Sequence, residues 1–382
     1  MRRRAFEIWE RLYYLRSLRA EYLRIQYRYH LRKTNRWASL KASWKYALAA
    51  VIACLIVLGI LLGYKYPWTG FSESNSPSGE FERGKTLWDW MDLLLIPALL
   101  ALFAYIFTGA QRERELSIAL LNKREQALQD YFDYMTHLFV EQDFSDEEHL
   151  EQAARIARAR TMAVLEMLDP KQKGHLLRFL IEAELIHRDG PLFSMRRSDL
   201  RSIDLDPGSY NHSDLRGSNL DGASMPWCNF NSAYMTGVTM QNADLESTDF
   251  SSANLDYALL DGSDLYHASL RSAHLIKASL QDANLQRADL SEAVLRTAKM
   301  KGANLRAANL GKAYLRFADL AFADLKDADL TDADLSQANL YGANLRNANL
   351  AGADLTGANP TPRQMRKAKS LEGAKLPADV KT

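Results

Sequence analysis

The chain has few of the residues from which catalytic, metal and disulfide sites are built. Its 382 residues include 2 cysteines and 8 histidines, and the histidines are scattered rather than grouped. Cys54 lies in an apolar stretch and Cys228 in a repeat, so neither suggests a disulfide. No glycine-rich phosphate loop and no Ser/His/Asp arrangement is present. The sequence therefore predicts a protein that is not an enzyme and uses no metal or cofactor.

Net charge is also low, at +1, but it is unevenly distributed. Residues 1–45 carry 13 Lys/Arg against 3 Asp/Glu, and their apolar residues recur at heptad-like spacing. This pattern predicts a basic cytoplasmic leader helix over 1–45. The leader could bind anionic membrane lipid, bind nucleic acid, or act as a topology signal. The lipid surface is favoured because the leader runs directly into an apolar stretch.

Long apolar runs are confined to two places. Residues 46–64 are uncharged and long enough to span a bilayer, and Leu93–Phe107 is a shorter second run. Together they predict a two-span transmembrane hairpin over 46–108, with the second span at 88–108. A buried core helix is the alternative for the second run. The basic leader places both termini in the cytoplasm by the positive-inside rule.

A bulky apolar residue occupies every fifth position from Met195 to Leu355 without a change of register. A small residue usually stands two positions earlier, as in Ala243-Asp244-Leu245. Residues two apart in an extended chain point to the same side, so both can face inward. No unit of five can bury its own leucine, and burial therefore requires that successive coils stack.

These A(D/N)Lxx units resemble the pentapeptide-repeat proteins. The resemblance implies a right-handed quadrilateral β-helix over 191–359, with four pentapeptides in each coil of 20 residues. Aromatic residues at central positions offer a check, because Tyr210, Phe230 and Phe250 are 20 residues apart and should stack as a ladder. The early coils should be less regular, since Ile203, Gly208 and Val238 occupy small-residue positions.

Residues 109–190 read as a helical linker and N-terminal cap of the rod. One helix is predicted over about 147–168. A second begins at Asp169-Pro170, with Asp169 as the N-cap and Gln172 near the capping-box position. It should end at Asp189-Gly190-Pro191 and cover the open end of the rod, which would otherwise be an exposed sheet edge.

The other end of the rod should be closed by a C-terminal cap over 360–382. Its Pro360–Leu371 segment is predicted to be a short helix.

A further resemblance concerns the linker. The stretches 157–169 and 179–186 are similar to a segment of membrane-anchored bacterial pentapeptide-repeat proteins, many of them cyanobacterial. In those proteins the segment lies between the membrane spans and the repeats. The resemblance implies a multi-pass protein of the bacterial inner or thylakoid membrane. The resemblance implies no enzymatic activity, because the family has none in common, and it implies no settled function.

Three classes of function follow. The first is a membrane-tethered scaffold that presents the rod to a cytoplasmic protein. The second is a nucleic-acid mimic, as in the gyrase-protecting relatives of this fold. The third is a subunit of a transport or channel assembly. Between residues 191 and 360 there are 21 acidic and 15 basic residues, and this interspersed charge argues against a mimic. No nucleic-acid partner is expected, and homo-oligomerisation stays open.

The partner face is predicted by sorting outward-facing residues into coils of 20. Apolar and basic residues then collect on one edge of the rod, whereas the other edges carry mostly small polar residues. Aromatic residues and arginine are the residues that interfaces favour. The alternative is that this stripe rests against the helices of 111–190. The predicted face comprises Tyr234, Tyr257, Ile276, Lys277, Val294, Arg296, Tyr314, Arg316 and Phe317.

The register generates a direct test of inward and outward positions. Leu305→Lys places an unpaired charge in the middle of the array and should lower the free energy of unfolding by several kcal/mol. The same change at outward-facing Gln286 should be nearly neutral. Thermal melts compare the two variants, and equal melting temperatures would show that the register is wrong.

Overall fold

A computed structural model describes residues 87–141 and 147–378. Helix α1 covers Leu87–Thr136 and passes into a π-helical turn at His137–Glu141. Helices α2 and α3 cover Glu147–Leu165 and Pro170–Glu182, and the short helix α4 covers Pro362–Met365. Between α3 and α4 the chain forms the rod, and Arg124 and the described residues after it make one compact unit.

The rod is a parallel β-helix with a coil of 20 residues, as predicted. Single-residue bridges join each coil to the next, from Asp199 with Asn219 to Asp334 with Asp354. The bridging residue is the one between the small residue and the leucine. Before the coil that precedes α4, the leucine N–H groups donate to carbonyls in the following coil, as Leu305 does to Asp324 at 2.8 Å. This ladder takes the place of sheet hydrogen bonds, because the described residues form no conventional strand.

The interior is made of the two inward residues of every pentapeptide. Leu305 and its neighbour Ala303 are both fully buried, whereas Gln286 lies at the surface and is partly exposed. The chain then turns a corner through a residue in the left-handed region. Ala307 has φ of 54° there, and glycine occupies the same repeat position at Gly302. A left-handed residue other than glycine costs about 1–2 kcal/mol, which the ladder and core must offset.

The aromatic ladder is confirmed. The ring centres of Tyr210 and Phe230 are 5.3 Å apart, and those of Phe230 and Phe250 are 5.6 Å apart, with nearly parallel planes. The early irregularity is limited to one corner, where a bend at Pro207-Gly208 replaces the usual turn. Proline fixes a negative φ and cannot adopt the left-handed conformation that this position requires elsewhere.

Helix α3 packs onto the N-terminal end of the rod. It begins as predicted, because Asp169 accepts from Gln172 N at 2.9 Å and Gln172 completes the capping box. Leu176 and Leu177 are fully buried, and the Pro170 carbonyl accepts from the N–H of Asp204 at 3.0 Å. The helix therefore covers the apolar end of the first coil and supplies an acceptor to its open ladder.

Helix α3 ends at Glu182, earlier than the predicted stop at Asp189-Gly190-Pro191. The N–H of Leu185 donates to Leu180 O, and Glu184 adopts a left-handed φ of 55°. This is a Schellman closure formed without the glycine that usually marks it. The chain then runs antiparallel to the first coil, where His187 bridges Ser213.

The C-terminal helix is also shorter than the predicted Pro360–Leu371. Thr361 caps α4 in a capping box with Gln364, and the helix ends at Met365. The chain then returns to the ladder, where Asn349 bridges Ser370. That spacing is 21 residues rather than 20, because the helical turn takes up one more residue than a pentapeptide corner. The segment is thus a last, modified coil as well as a cap.

The prediction of two transmembrane helices is wrong, and so is the multi-pass membrane location built on it. Across 87–141 and 147–378, no helix has both the length and the apolar character to cross a membrane. The second predicted span, 88–108, begins with Asp89 and Asp92, which leaves the 15 residues of Leu93–Phe107. At about 1.5 Å per residue that run is roughly 22 Å long, against about 30 Å for a hydrocarbon core.

Several predictions fall on parts of the chain that the structure does not describe. The leader over 1–45, with its lipid contact, and the first predicted span at 46–64 lie outside the described residues. The boundaries 109–190, 191–359 and 360–382 stay predictions of domain organisation.

The packing of α3 can be tested with two glycine-to-alanine variants, for which the expected changes in unfolding free energy have opposite signs. A methyl group on Gly174 would lie 2.5 Å from the Asp204 carbonyl oxygen, so Gly174→Ala must push the helix away from the first coil. We expect a loss of about 1–3 kcal/mol in unfolding free energy. Gly109→Ala is the control, because nothing lies within 4 Å and alanine favours a helix. Thermal unfolding measures both, and a stabilised Gly174 variant would contradict the packing.

Candidate functional site

The predicted partner residues lie on one face of the four-sided rod. The bridges from Tyr234 through Asn254, His274 and Val294 to Tyr314 form the central column of that face. The residues that follow each leucine flank this column. We call this surface the aromatic–basic face. It comprises the nine predicted residues Tyr234, Tyr257, Ile276, Lys277, Val294, Arg296, Tyr314, Arg316 and Phe317.

Three large aromatic side chains on this face remain open to solvent. Tyr257, Tyr314 and Phe317 are 53%, 52% and 49% exposed. Ile276 and Val294 are half-buried between them. A row of exposed large apolar side chains is uncommon on a soluble surface and is typical of interaction sites.

The basic residues of the face are placed against its aromatic rings. Lys277 Nζ lies 5.4 Å from the centre of the Tyr257 ring, and Arg316 Cζ lies 5.0 Å from that of Phe317. Arg296 is exposed between these two pairs. Cation–π contacts of this kind contribute about 0.5–1 kcal/mol at exposed sites. They also restrict the rings before any partner arrives, which reduces the entropy lost on binding.

Tyr234 has a different setting at the N-terminal end of the face. Arg188 Cζ lies 4.5 Å from the centre of its ring and Arg216 Cζ lies 5.7 Å from it. Arg188 also donates to the Ser232 carbonyl oxygen at 2.9 Å. Tyr234 therefore helps to hold the segment before the first coil in place. The open part of the aromatic–basic face begins at Tyr257.

Small polar side chains dominate the other faces and bond along the rod axis. Asn284 Nδ2 donates to Asp264 at 2.8 Å, and Asn304 Nδ2 donates to Asn284 at 2.9 Å. Two coils further on, Asn344 Nδ2 donates to Asp324 at 2.8 Å. Asn284 and Asn304 separate Asp264 from Asp324 and so reduce the repulsion between their carboxylates, although Asp244 and Asp264 are adjacent in the same column. Asp264 and Asp324 are thus hydrogen-bonded within the rod.

Arg306, Lys326 and Arg346 recur every 20 residues as a basic column on the opposite face, and this column is partly neutralised. Arg306 lies 3.9 Å from the Asp324 carboxylate, and Lys326 lies 3.6 Å from that of Asp327. Because their neighbours are acidic, these residues do not form a uniform basic surface with Arg346.

Three exposed aromatic residues were missed by the sequence analysis. Trp227, Phe322 and Tyr341 are 63%, 56% and 61% exposed and lie off the aromatic–basic face. Trp227 and Phe322 both occupy the left-handed corner position. The signal for them is that repeat position itself, since a side chain there points away from the core whatever its polarity.

Groups that could support chemistry are not brought together. Within 87–141 and 147–378, no three His, Cys, Asp or Glu side chains form a group that could hold a metal ion. Cys228 is buried in the rod, and burial raises the pKa of its thiol to about 12. A thiol in that state is a poor nucleophile.

Comparison with known proteins identifies the repeats. Eight copies of the family described as pentapeptide repeats match between residues 194 and 359. This segment of the chain is a pentapeptide-repeat domain, as its sequence resemblance indicated. Proteins of this family are in general structural or interaction proteins, and no catalytic family matches the chain.

Solved structures that match the chain include two pentapeptide-repeat proteins. QnrB1, a plasmid-mediated fluoroquinolone resistance protein, is 22% identical over 46% of this chain and 90% of its own, with a TM-score of 0.34. HetL is involved in heterocyst differentiation regulation in the cyanobacterium Nostoc sp. strain PCC 7120. It is 31% identical over 47% of this chain and 86% of its own, with a TM-score of 0.24. No curated protein sequence matches the chain significantly.

The setting of Cys228 gives a prediction for its reactivity. At pH 8 its thiol should stay protonated and shielded, so an alkylating reagent should modify it only as fast as the protein unfolds. Peptide mass spectrometry after iodoacetamide treatment, with and without denaturant, measures this directly. Rapid modification of the folded protein would show that the coil around Cys228 is open.

Proposed function

We propose that the protein is a non-enzymatic scaffold whose rod binds a protein partner through the aromatic–basic face. The observation that carries this proposal is the row of apolar and basic side chains from Tyr257 to Phe317, which extends over four successive coils and has exposed aromatic rings at both ends. A regular β-helix needs no such row for its own stability, since its core residues all point inward.

The chemistry of the face indicates the kind of partner. Tyr257, Tyr314 and Phe317 offer apolar area, while Lys277, Arg296 and Arg316 offer positive charge without a carboxylate partner among the described residues. A complementary surface would have apolar side chains and acidic groups at a matching spacing along an axis. The half-buried Ile276 and Val294 would fill the space between the rings.

Mimicry of a nucleic acid is less well supported. A mimic needs unbroken columns of carboxylates that stand in for phosphates. Here aspartates are adjacent only in pairs such as Asp334 and Asp354 among the bridging residues, and elsewhere an asparagine amide occupies a carboxylate oxygen, as Asn309 does to Asp289 at 2.9 Å. The open row of aromatic and basic residues has no counterpart in such a mimic.

Homo-oligomerisation remains a further prediction for the same surface. If a second copy were the partner, wild-type chains carrying two different tags should purify together through this face.

The proposal predicts the behaviour of a triple variant, Tyr257→Ser with Tyr314→Ser and Phe317→Ser. Its thermal unfolding should match the wild type, because these side chains lie outside the core. Recovery of the protein that co-purifies with the tagged full-length chain should fall by about tenfold or more, since interface aromatic residues carry much of the binding free energy.

Trp227→Ser with His267→Ser is the matched control, because it removes exposed rings from the opposite face. Recovery should be retained with that double variant. Unchanged recovery with the folded triple variant would move the binding site off the aromatic–basic face.

A further inference from the structure

The C-terminal helix α4 leaves a gap in the ladder of hydrogen bonds. In the preceding coil the N–H of Leu325 donates to the Asn344 carbonyl oxygen at 3.0 Å. The equivalent donors one coil later are the N–H groups of Gly342 and Leu345. No acceptor in 87–141 or 147–378 pairs with either of them, because α4 occupies the place of the next pentapeptide. Two backbone donors thus point along the rod axis without a partner in the described chain.

These donors line a groove of about 440 Å³ between the last regular coil and α4. Its apolar wall is made by Phe322 and Tyr341, whose rings are 5.4 Å apart and perpendicular. The Phe322 ring can lie over the coil only because residue 342 is glycine. A methyl group on Gly342 would come within 2.7 Å of Phe322 Cδ1.

The opposite wall of the groove is basic. Arg363 and Lys367 line it, both are exposed, and neither forms an ion pair with another described residue. Gln364 fixes α4 by donating to the carbonyl oxygens of Leu340 and Ala343, each at 2.8 Å. The groove is therefore held open by a bonded side chain and combines apolar rings, two cations and two backbone donors.

We propose that this surface, the C-terminal groove, binds an extended acidic peptide segment of a partner protein. A carboxylate would accept from the N–H groups of Gly342 and Leu345 and face Arg363 and Lys367. An adjacent aromatic or aliphatic side chain would pack on Phe322 and Tyr341. Extended peptides commonly bind to unpaired backbone groups at a sheet edge in this way.

A nucleic acid would suit this groove less well than a peptide. The adjoining columns are rich in aspartate, and the repeat region as a whole has 21 acidic against 15 basic residues between 191 and 360. A phosphate backbone would be repelled beyond the groove, whereas a short acidic segment need not extend past it. The groove lies off the aromatic–basic face, so the two sites can be tested separately.

The test uses a fluorescein-labelled Asp-Phe-Asp-Phe peptide and the full-length chain, with binding followed by fluorescence anisotropy. The wild type should bind it saturably and should bind the Lys-Phe-Lys-Phe peptide at least about tenfold more weakly. Arg363→Glu with Lys367→Glu should weaken binding of the acidic peptide by about tenfold or more. Phe322→Ser should weaken it as well, by removing the apolar wall.

Arg287→Glu, a charge reversal at an exposed residue that belongs to neither surface, is the control and should leave the affinity unchanged. Thermal melts should show that every variant is folded. The proposal is overturned if the wild type does not bind the acidic peptide, or if the Arg363 and Lys367 variant binds it equally well. It is also overturned if a single-stranded oligonucleotide displaces the labelled acidic peptide more strongly than the unlabelled peptide does.

Discussion

The hydrogen bond from each central N–H to a carbonyl of the following coil is the interaction on which the rod depends. Within a coil each corner is closed by a turn bond, as from the N–H of Ala308 to the Leu305 carbonyl oxygen at 3.1 Å, and the remaining backbone groups are satisfied by the neighbouring coils. The same stacking buries the leucine and alanine side chains. Cohesion is therefore strictly between adjacent coils, and each end of the stack needs a substitute for a missing coil. Pro170 supplies an acceptor at one end, and Gln364 and Asn359 supply side-chain groups at the other.

The parts of the fold that repeat could be predicted from the sequence, because one rule applies at every coil. The inward register follows from the spacing of the leucines, whereas the 20-residue coil is what the family resemblance implied. The spacing of Tyr210, Phe230 and Phe250 gave an independent check on it. The capping box at Asp169 is similarly local. The end of α3 was not predictable in the same way, because Glu184 adopts a left-handed conformation that its residue type does not favour. The transmembrane prediction was wrong because the run Leu93–Phe107 is apolar in composition but too short to cross a bilayer.

The candidate site shows the same division between repeated and unique structure. Tyr257, Tyr314 and Phe317 could be placed on one face because their position in the coil fixes their direction. The contact of Arg188 with the Tyr234 ring could not be predicted from the sequence, because it depends on how a non-repetitive segment folds back. The groove beside α4 was also invisible in the sequence. It exists because four helical residues displace a pentapeptide corner and leave two donors of the preceding coil unpaired.

The fixed coil length also constrains how such a protein can change by duplication. Inserting one pentapeptide keeps the core register, because leucine still follows leucine at the fifth position. It turns every later residue by a quarter of the coil, however, and so would divide the row from Tyr257 to Phe317 between two faces. Only the gain or loss of a whole 20-residue coil preserves the row, and it changes the length of the rod by about 4.8 Å. The surface of this rod can therefore be lengthened in steps of a full coil while keeping its binding face straight.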